Sequence, residues 1–351
     1  MDPEAHRAGE RMTTIALIGA GRIGQIRARS MAETGLGTLV AVVDPWTENA
    51  KRIAESTGAR VLNNWSAAIS DPQVEGVIVA TPTSLHAEIA TAALSAGKHV
   101  LCEKPLARNV SEARQIVAAS RRSGTTLKIG FNYRHLPHVR KAKELIDSGV
   151  LGRLFFVRCQ FGHGGRPGFD QEWHTDPVIS GGGVLQEQGI HVMDLVRYLL
   201  GEPTRALGQR STFYWQLREI EDNCFCLFET EGRGIAQIHV SWTQWRNTFQ
   251  MEIFGQDGYL RLEGRDGHYG PPAITWAKRN RDHSRPLEKR LVFEPGDDWR
   301  EEWKEFLTAI AEKREPLGSG LDGLRAQQMV EAAYASAEAG KWLTIEPDRG
   351  Q

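Results

Sequence analysis

The feature that most constrains this chain is the run Thr-Thr-Ile-Ala-Leu-Ile-Gly-Ala-Gly-Arg-Ile-Gly at positions 13–24. A β-branched and aliphatic stretch, 15–18, enters Gly19-Ala20-Gly21-Arg22-Ile23-Gly24, and helix-compatible sequence follows over 25–33. Each glycine has a physical reason. Gly19 permits a tight turn off a strand, Gly21 lets a pyrophosphate approach the backbone, and Gly24 lets the helix pack close to the strand. Free N–H groups at the helix start then face the phosphates. A second strand, 39–43, ends at Asp44, where a carboxylate can accept from both ribose hydroxyls and repel a 2′-phosphate. An ordinary glycine-rich strand–helix turn is the competing interpretation, and the strand, helix and acid in register argue for the dinucleotide, NAD. Pro45-Trp46 follows and could wall an adenine or simply pack.

The 351 residues are 40% hydrophobic and 25% charged, about two domains' worth with ample core. A formal net charge of −1 offers no global field toward nucleic acid or an anionic membrane. Cys102, Cys159, Cys224 and Cys226 form neither a CxxC pair nor a zinc spacing, and their apolar neighbours read as buried thiols in a reducing, cytoplasmic compartment. No apolar run reaches membrane-spanning length. The charged segment 1–11 has no signal-peptide core, so 1–12 is expected to be a disordered leader.

From 13 to 132 strands and helices alternate, which predicts a Rossmann domain: a parallel sheet with helices on both faces. Expected strands include 59–62, 76–80, 99–102 and 126–131, with helices at 48–56, 66–69, 85–96 and 111–122. Ligands of such sheets sit beyond the strands' carboxyl ends. The candidate cofactor contacts are therefore Gly19, Gly21, Arg22, Ile23, Gly24, Asp44, Thr81, Pro82, His86, Glu103 and Lys104. The pattern changes over 133–351, expected to form a substrate-binding and oligomerisation domain. After a helix at 138–147, strands are expected at 154–160, 212–217, 223–229, 235–242, 249–254 and 259–262, with closing helices at 299–313 and 321–340. That predicts an α/β domain on a large open, mainly antiparallel sheet. The stretch 223–228 is apolar on both faces and the helices look too few to cover both, so a partner subunit is expected, in a homodimer or homotetramer.

Two stretches could carry chemistry. Cys102-Glu103-Lys104-Pro105 lies just past a strand, where Lys104 could hydrogen-bond a substrate oxygen and favour a developing alkoxide. A surface lysine before a proline turn is the plainer alternative. In Gly181-Gly182-Gly183-Val184-Leu185-Gln186-Glu187-Gln188-Gly189-Ile190-His191-Val192-Met193-Asp194, a helix places Glu187 and His191 at i and i+4, on one face. A carboxylate one turn from an imidazole can hold its tautomer and raise its basicity, as a general base requires. No third ligand is indicated, so no metal is expected.

The glycine loop, Glu103-Lys104-Pro105 and the 181–194 stretch, in this order and spacing, resemble the Gfo/Idh/MocA oxidoreductases, together with Gly130-Phe131-Asn132-Tyr133-Arg134 and the turn at 146–152. The resemblance covers about 13–345. It implies oxidation of a secondary hydroxyl of a sugar or cyclitol by hydride transfer to NAD, with Lys104 and His191 as the catalytic pair. Where the family commonly has aspartate four residues before the histidine, this chain has Glu187, expected to orient His191 or to bind a neighbouring hydroxyl. Asn132, Tyr133, Arg134, Trp173 and His174 are the further substrate-pocket candidates. Two rivals stay open: an NAD-retaining glycoside hydrolase, and a ligand-sensing regulator without turnover.

Overall fold

The computed structural model describes residues 13–296 and 298–346; the expected leader, 1–12, lies outside them. The first sheet has six parallel strands: β1 (Thr14–Ile18), β2 (Thr38–Val43), β3 (Arg60–Leu62), β4 (Gly76–Val79), β5 (His99–Cys102) and β6 (Leu127–Ile129), in the order β3-β2-β1-β4-β5-β6. Helices α1 (Arg22–Thr34), α2 (Thr47–Thr57), α3 (Trp65–Ser70), α4 (His86–Ser95) and α5 (Val110–Ser123) connect the strands. The order reverses between β1 and β4, which opens a crevice beyond their carboxyl ends. Alternate residues of β1 feed two cores. Ile15 and Leu17 belong to one with Val42, Ile78 and Leu101, while Ala16 and Ile18 belong to a larger one that runs on into the second domain.

After α6 (Pro137–Asp147) comes β7 (Leu154–Gly162), then α7 (Pro177–Ser180) and α8 (Ile190–Leu200). Next are β8 (Pro203–Ser211), β9 (Asn223–Thr230), β10 (Ile235–Ser241), β11 (Thr248–Gly255), β12 (Gly258–Glu263), β13 (Ala273–Lys278) and β14 (Lys289–Val292). Two long helices, α9 (Asp298–Glu312) and α10 (Gly320–Ala339), precede the short β15 (Leu343–Thr344). The second sheet runs β14-β13-β12-β11-β7-β10-β9-β8-β15. Among the described residues only β7 and β10 of this sheet pair in parallel, so the sheet is mixed but mainly antiparallel, as expected. On β10, Ala236, Ile238 and Val240 are buried against the helical layer, and Gln237 and His239 alternate outward. On β9, Cys224, Cys226 and Phe228 face inward, while Phe225 is exposed and stacks on His239 at 4.1 Å. All four cysteines are free and buried. Among the described residues no helix is long and apolar enough to cross a membrane.

Two expectations need correction. The segment 212–217 is not a strand. It is an irregular loop whose Phe213, Tyr214 and Trp215 amides donate to the buried Asp222 carboxylate, so those amides are taken from any ladder. The strands β8, β13, β14 and β15 went unexpected, because Pro203–Ser211 and Lys289–Val292 carry too little apolar alternation to announce themselves. The closing helices do not both stay with the second sheet. α9 returns to the first domain, where Trp303 and Phe306 complete the core of Ile15 and Leu17, and Trp303 Nε1 donates to the Leu36 carbonyl.

Candidate active site

The cofactor cradle is built by the three glycines in three different ways. Gly19 sits at φ +95°, and a Cβ there would lie 2.4 Å from the Ala80 carbonyl oxygen, so the turn presses against the end of β4. A Cβ on Gly24 would lie 2.0 Å from the Gly19 oxygen. On Gly21, the N-cap of α1, a Cβ would meet nothing within 4 Å. The first two glycines are demanded by the fold, whereas Gly21 borders open space at a helix N-terminus, which suits a pyrophosphate. Asp44 is held at the end of β2 by the amides of Ala20, at 2.6 Å to Oδ2, and Trp46, at 2.8 Å to Oδ1. Each oxygen keeps a further lone pair for a ribose hydroxyl. The Trp46 ring is exposed, Arg22 and Ile23 start α1, and Thr81 Oγ1 is buried beside Pro82 with no partner. These residues fit a dinucleotide.

Lys104 leaves β5 toward the second domain. Its Nζ donates to the Glu187 carbonyl at 2.8 Å and to Glu187 Oε1 at 3.0 Å. Glu187 stands in a single π turn, Leu185–Gly189, that runs into α8. Burial works against its charge, but the Lys104 ammonium and the His174 and His163 imidazoles hold its carboxyl below the usual range. His191, on the first turn of α8, is 6% exposed and lies flat on Tyr133, with ring centroids 4.0 Å apart and planes within 9°. Its Nδ1 is buried without a partner. Burial, reinforced by the charges of Lys104 and Arg265, pushes its pKa well below 6.5, so the imidazole is neutral at pH 7. Lys104, Glu187 and His191, expected from two domains, are thus brought together.

The expected pairing of Glu187 with His191 is not what forms. Glu187 is engaged by Lys104 and is not among the groups that shift His191. An ammonium within hydrogen-bond reach is a stronger partner for a carboxylate than a neutral imidazole, and Lys104 supplies it.

Other side chains expected at the site are committed elsewhere. The Glu103 carboxylate is buried against Arg27 at 2.6 Å. His86 is buried between the carbonyls of Pro105, 2.8 Å from Nδ1, and Thr81, 3.0 Å from Nε2, and so braces the Lys104 turn. Arg134 grips Asp194 through Nε at 2.8 Å and Nη2 at 2.5 Å, and reaches Asp322 at 3.0 Å. Asn132 donates to Asp298 at 2.6 Å. Trp173 is half exposed, and the neighbouring His174 has a buried Nε2 with no partner. Three residues at the site went unforeseen. His163 acts on Glu187. Arg265 lies over the rings of Tyr133 and Tyr269 at 5.2 and 5.0 Å. Arg265 and Tyr269 sit in a short loop after β12 with no motif spacing to signal them. Among the described residues no group of three or more His, Cys, Asp or Glu is arranged to hold a metal.

Residues 13–131 match the model of an oxidoreductase family with an NAD-binding Rossmann fold, named GFO_IDH_MocA, and 139–261 match that family's C-terminal domain. The chain is 28% identical to inositol 2-dehydrogenase 2 of Saccharopolyspora erythraea, over 95% of each chain. It is 29% identical to 1,5-anhydro-D-fructose reductase of Ensifer adhaerens, over 92% of this chain and 94% of the relative. A crystal structure of an NAD binding oxidoreductase from Klebsiella pneumoniae superposes with a TM-score of 0.87 at 26% identity, covering 96% of this chain and 100% of the other.

Proposed function

Since the chain belongs to the Gfo/Idh/MocA oxidoreductases, NAD-binding dehydrogenases of the sugar and cyclitol type, we propose that it oxidises a secondary hydroxyl of such a substrate with Lys104 and His191 as the catalytic pair. The observation that carries this reading is the neutral, nearly buried imidazole of His191 beside an ammonium that Glu187 holds in place. NAD, when bound, supplies the hydride acceptor. Gly21, the α1 N-terminus and Asp44 hold it. The His191 imidazole takes the hydroxyl proton, and Lys104 Nζ donates to the same oxygen as negative charge gathers there. The Tyr133 ring fixes the plane of the imidazole, and Glu187 fixes the ammonium.

The test is a panel of inositols, aldoses and simple glycosides with NAD, following reduced nicotinamide. Lys104→Met and His191→Asn should each lower kcat by about 10² to 10⁴ while NAD affinity survives, since neither touches the glycine loop or Asp44. Wild-type turnover in both variants would end the mechanism. Sugar cleavage without net NADH would instead favour an NAD-retaining hydrolase.

A further inference from the structure

Beside the site stands an aromatic rim that a single sugar ring does not account for. Phe213, Tyr214 and Trp245 are 67%, 59% and 66% exposed, yet the loop that carries the first two is firmly built. The fully buried Asp222 carboxylate accepts from the amides of Phe213 at 2.9 Å, Tyr214 at 2.8 Å and Trp215 at 3.1 Å. Trp215 Nε1 donates to the Trp242 carbonyl at 2.8 Å. Two glycines clear the ground beneath these rings. A Cβ on Gly165 would lie 2.4 Å from the Trp215 ring, and one on Gly164 would lie 3.0 Å from that of Trp245. A carboxylate buried where it holds three successive amides, with the Phe213 and Tyr214 rings facing water, fixes a surface in readiness for a ligand.

A file of packed rings, passing through the buried Phe169, joins this rim to the catalytic cleft. Trp245 meets Tyr214 edge-on at 4.9 Å, Tyr214 meets Trp215 at 5.2 Å, Trp215 meets Phe169 at 5.3 Å, and Phe169 meets His174 at 4.7 Å. His174 in turn acts on Glu187, and its Nε2 is buried without a partner. We propose that this rim is a second subsite, which seats the ring beyond the one being oxidised, so that the substrate is a glycoside or disaccharide rather than a free monosaccharide. The inference rests on the dehydrogenase reading above. Pyranose rings present faces of C–H groups that pack on aromatic rings while their edge hydroxyls stay in water. Tyr and Trp add a polar tip at the border of such a contact.

The experiment compares kcat/KM for glucose, methyl glucoside, cellobiose and trehalose, with NAD, in the wild type, Trp245→Ala and Tyr214→Ala. Both side chains are largely exposed, so their removal opens no core cavity. The wild type should favour a disaccharide. The disaccharide-to-glucose ratio of kcat/KM should fall about tenfold in either variant, through KM. An unchanged ratio overturns the subsite. So does an unchanged ratio with a smaller assembly by light scattering, which would make the rim a contact between copies. Should no sugar reduce NAD, the dehydrogenase reading falls and the rim is judged by titrating the same disaccharides against tryptophan fluorescence. Saturation lost in Tyr214→Ala keeps the subsite, and no saturable change in the wild type removes it.

Discussion

Replacing Glu302 with glutamine probes how α9 is tied to the first sheet. Arg27 and Lys128 face Glu103 and Glu302 with almost no solvent access: relative exposures are 2%, 0%, 5% and 0%. Arg27 reaches Glu103 and Glu302 at 2.6 Å each, Lys128 approaches Glu302 at 3.5 Å, and the Trp299 ring lies 4.5 Å from the Arg27 guanidinium carbon. Two cations and two carboxylates balance. Glu302→Gln keeps the shape and one acceptor oxygen but leaves two buried cations against one carboxylate. Breaking a buried pair in this way costs about 3–5 kcal/mol. The stranded Lys128 sets an independent ceiling, because it can lose its proton. Burial already pushes its pKa below 10.5, and Glu302 is the leading charge opposing that shift. Neutralising a lysine at pH 7 costs about 1.4 kcal/mol per unit, or roughly 5 kcal/mol from 10.5. The two routes agree.

The assay is urea unfolding followed by tryptophan fluorescence at pH 7, 8 and 9. In the variant, native Lys128 is neutral while the unfolded lysine stays charged up to 10.5. The unfolded state therefore binds more protons, and the variant gains stability as pH rises. Its deficit relative to wild type should shrink by up to about 1.4 kcal/mol per pH unit. Adding Lys128→Met to Glu302→Gln removes the stranded charge and should recover part of the loss at pH 7. A deficit under about 1 kcal/mol at pH 7, or one that does not change with pH, would refute the reasoning.

Three further outcomes are expected. Steady-state kinetics with both cofactors should show a preference for NAD that Asp44→Ser largely removes, because the carboxylate that repels a 2′-phosphate is gone; faster wild-type turnover with NADP would contradict the ribose assignment. His138 is fully buried, and burial, opposed by the Gly264 backbone, pushes its pKa from 6.5 to about 4. Its contribution is present above pH 6.5 and is lost as pH falls toward 4, so thermal melts should show His138→Phe flattening that acid limb by about 3 kcal/mol. Light scattering at micromolar concentration should show a homodimer or larger, joined through the face of the second sheet that exposes Phe225, and a monomer would count against it.

The first domain was legible in the sequence because its signals are local. A glycine loop between a strand and a helix, an acid at the next strand's end, and regular alternation all lie within a few turns of chain, and all six strands formed near their expected places. The second sheet was legible only where strands alternate strongly, as on β10. β8 and β14 are polar edge or near-edge strands whose pairing is fixed by neighbours far away in sequence. The same distance explains the side chains expected at the site and found elsewhere. Glu103 sits beside Lys104, but its partner Arg27 comes from α1 and the pair is completed by Glu302 on α9. Arg134 adjoins Tyr133, yet its partners Asp194 and Asp322 come from α8 and α10. No spacing rule announces a contact that only the tertiary fold creates.

These committed charges have a consequence for the chemistry. Of the run Gly130–Arg134, Tyr133 alone stacks flat on His191, with Phe131 edge-on to it at 6.3 Å, while Asn132 and Arg134 lock into buried partners on either side of Tyr133. Of Glu103-Lys104-Pro105, Lys104 alone faces the cleft, while Glu103 is anchored below it and His86 braces the Pro105 carbonyl. In each stretch the flanking residues fix the backbone so firmly that the one remaining side chain has little choice of direction. A site at the junction of two domains needs that rigidity from both sides, since Lys104 comes from the end of β5 and His191 from the start of α8. Glu187, in the π turn ahead of α8, is bonded by the lysine and not by the histidine. The acid therefore steadies the Lys104 ammonium, and the His191 imidazole is left neutral and flat against Tyr133.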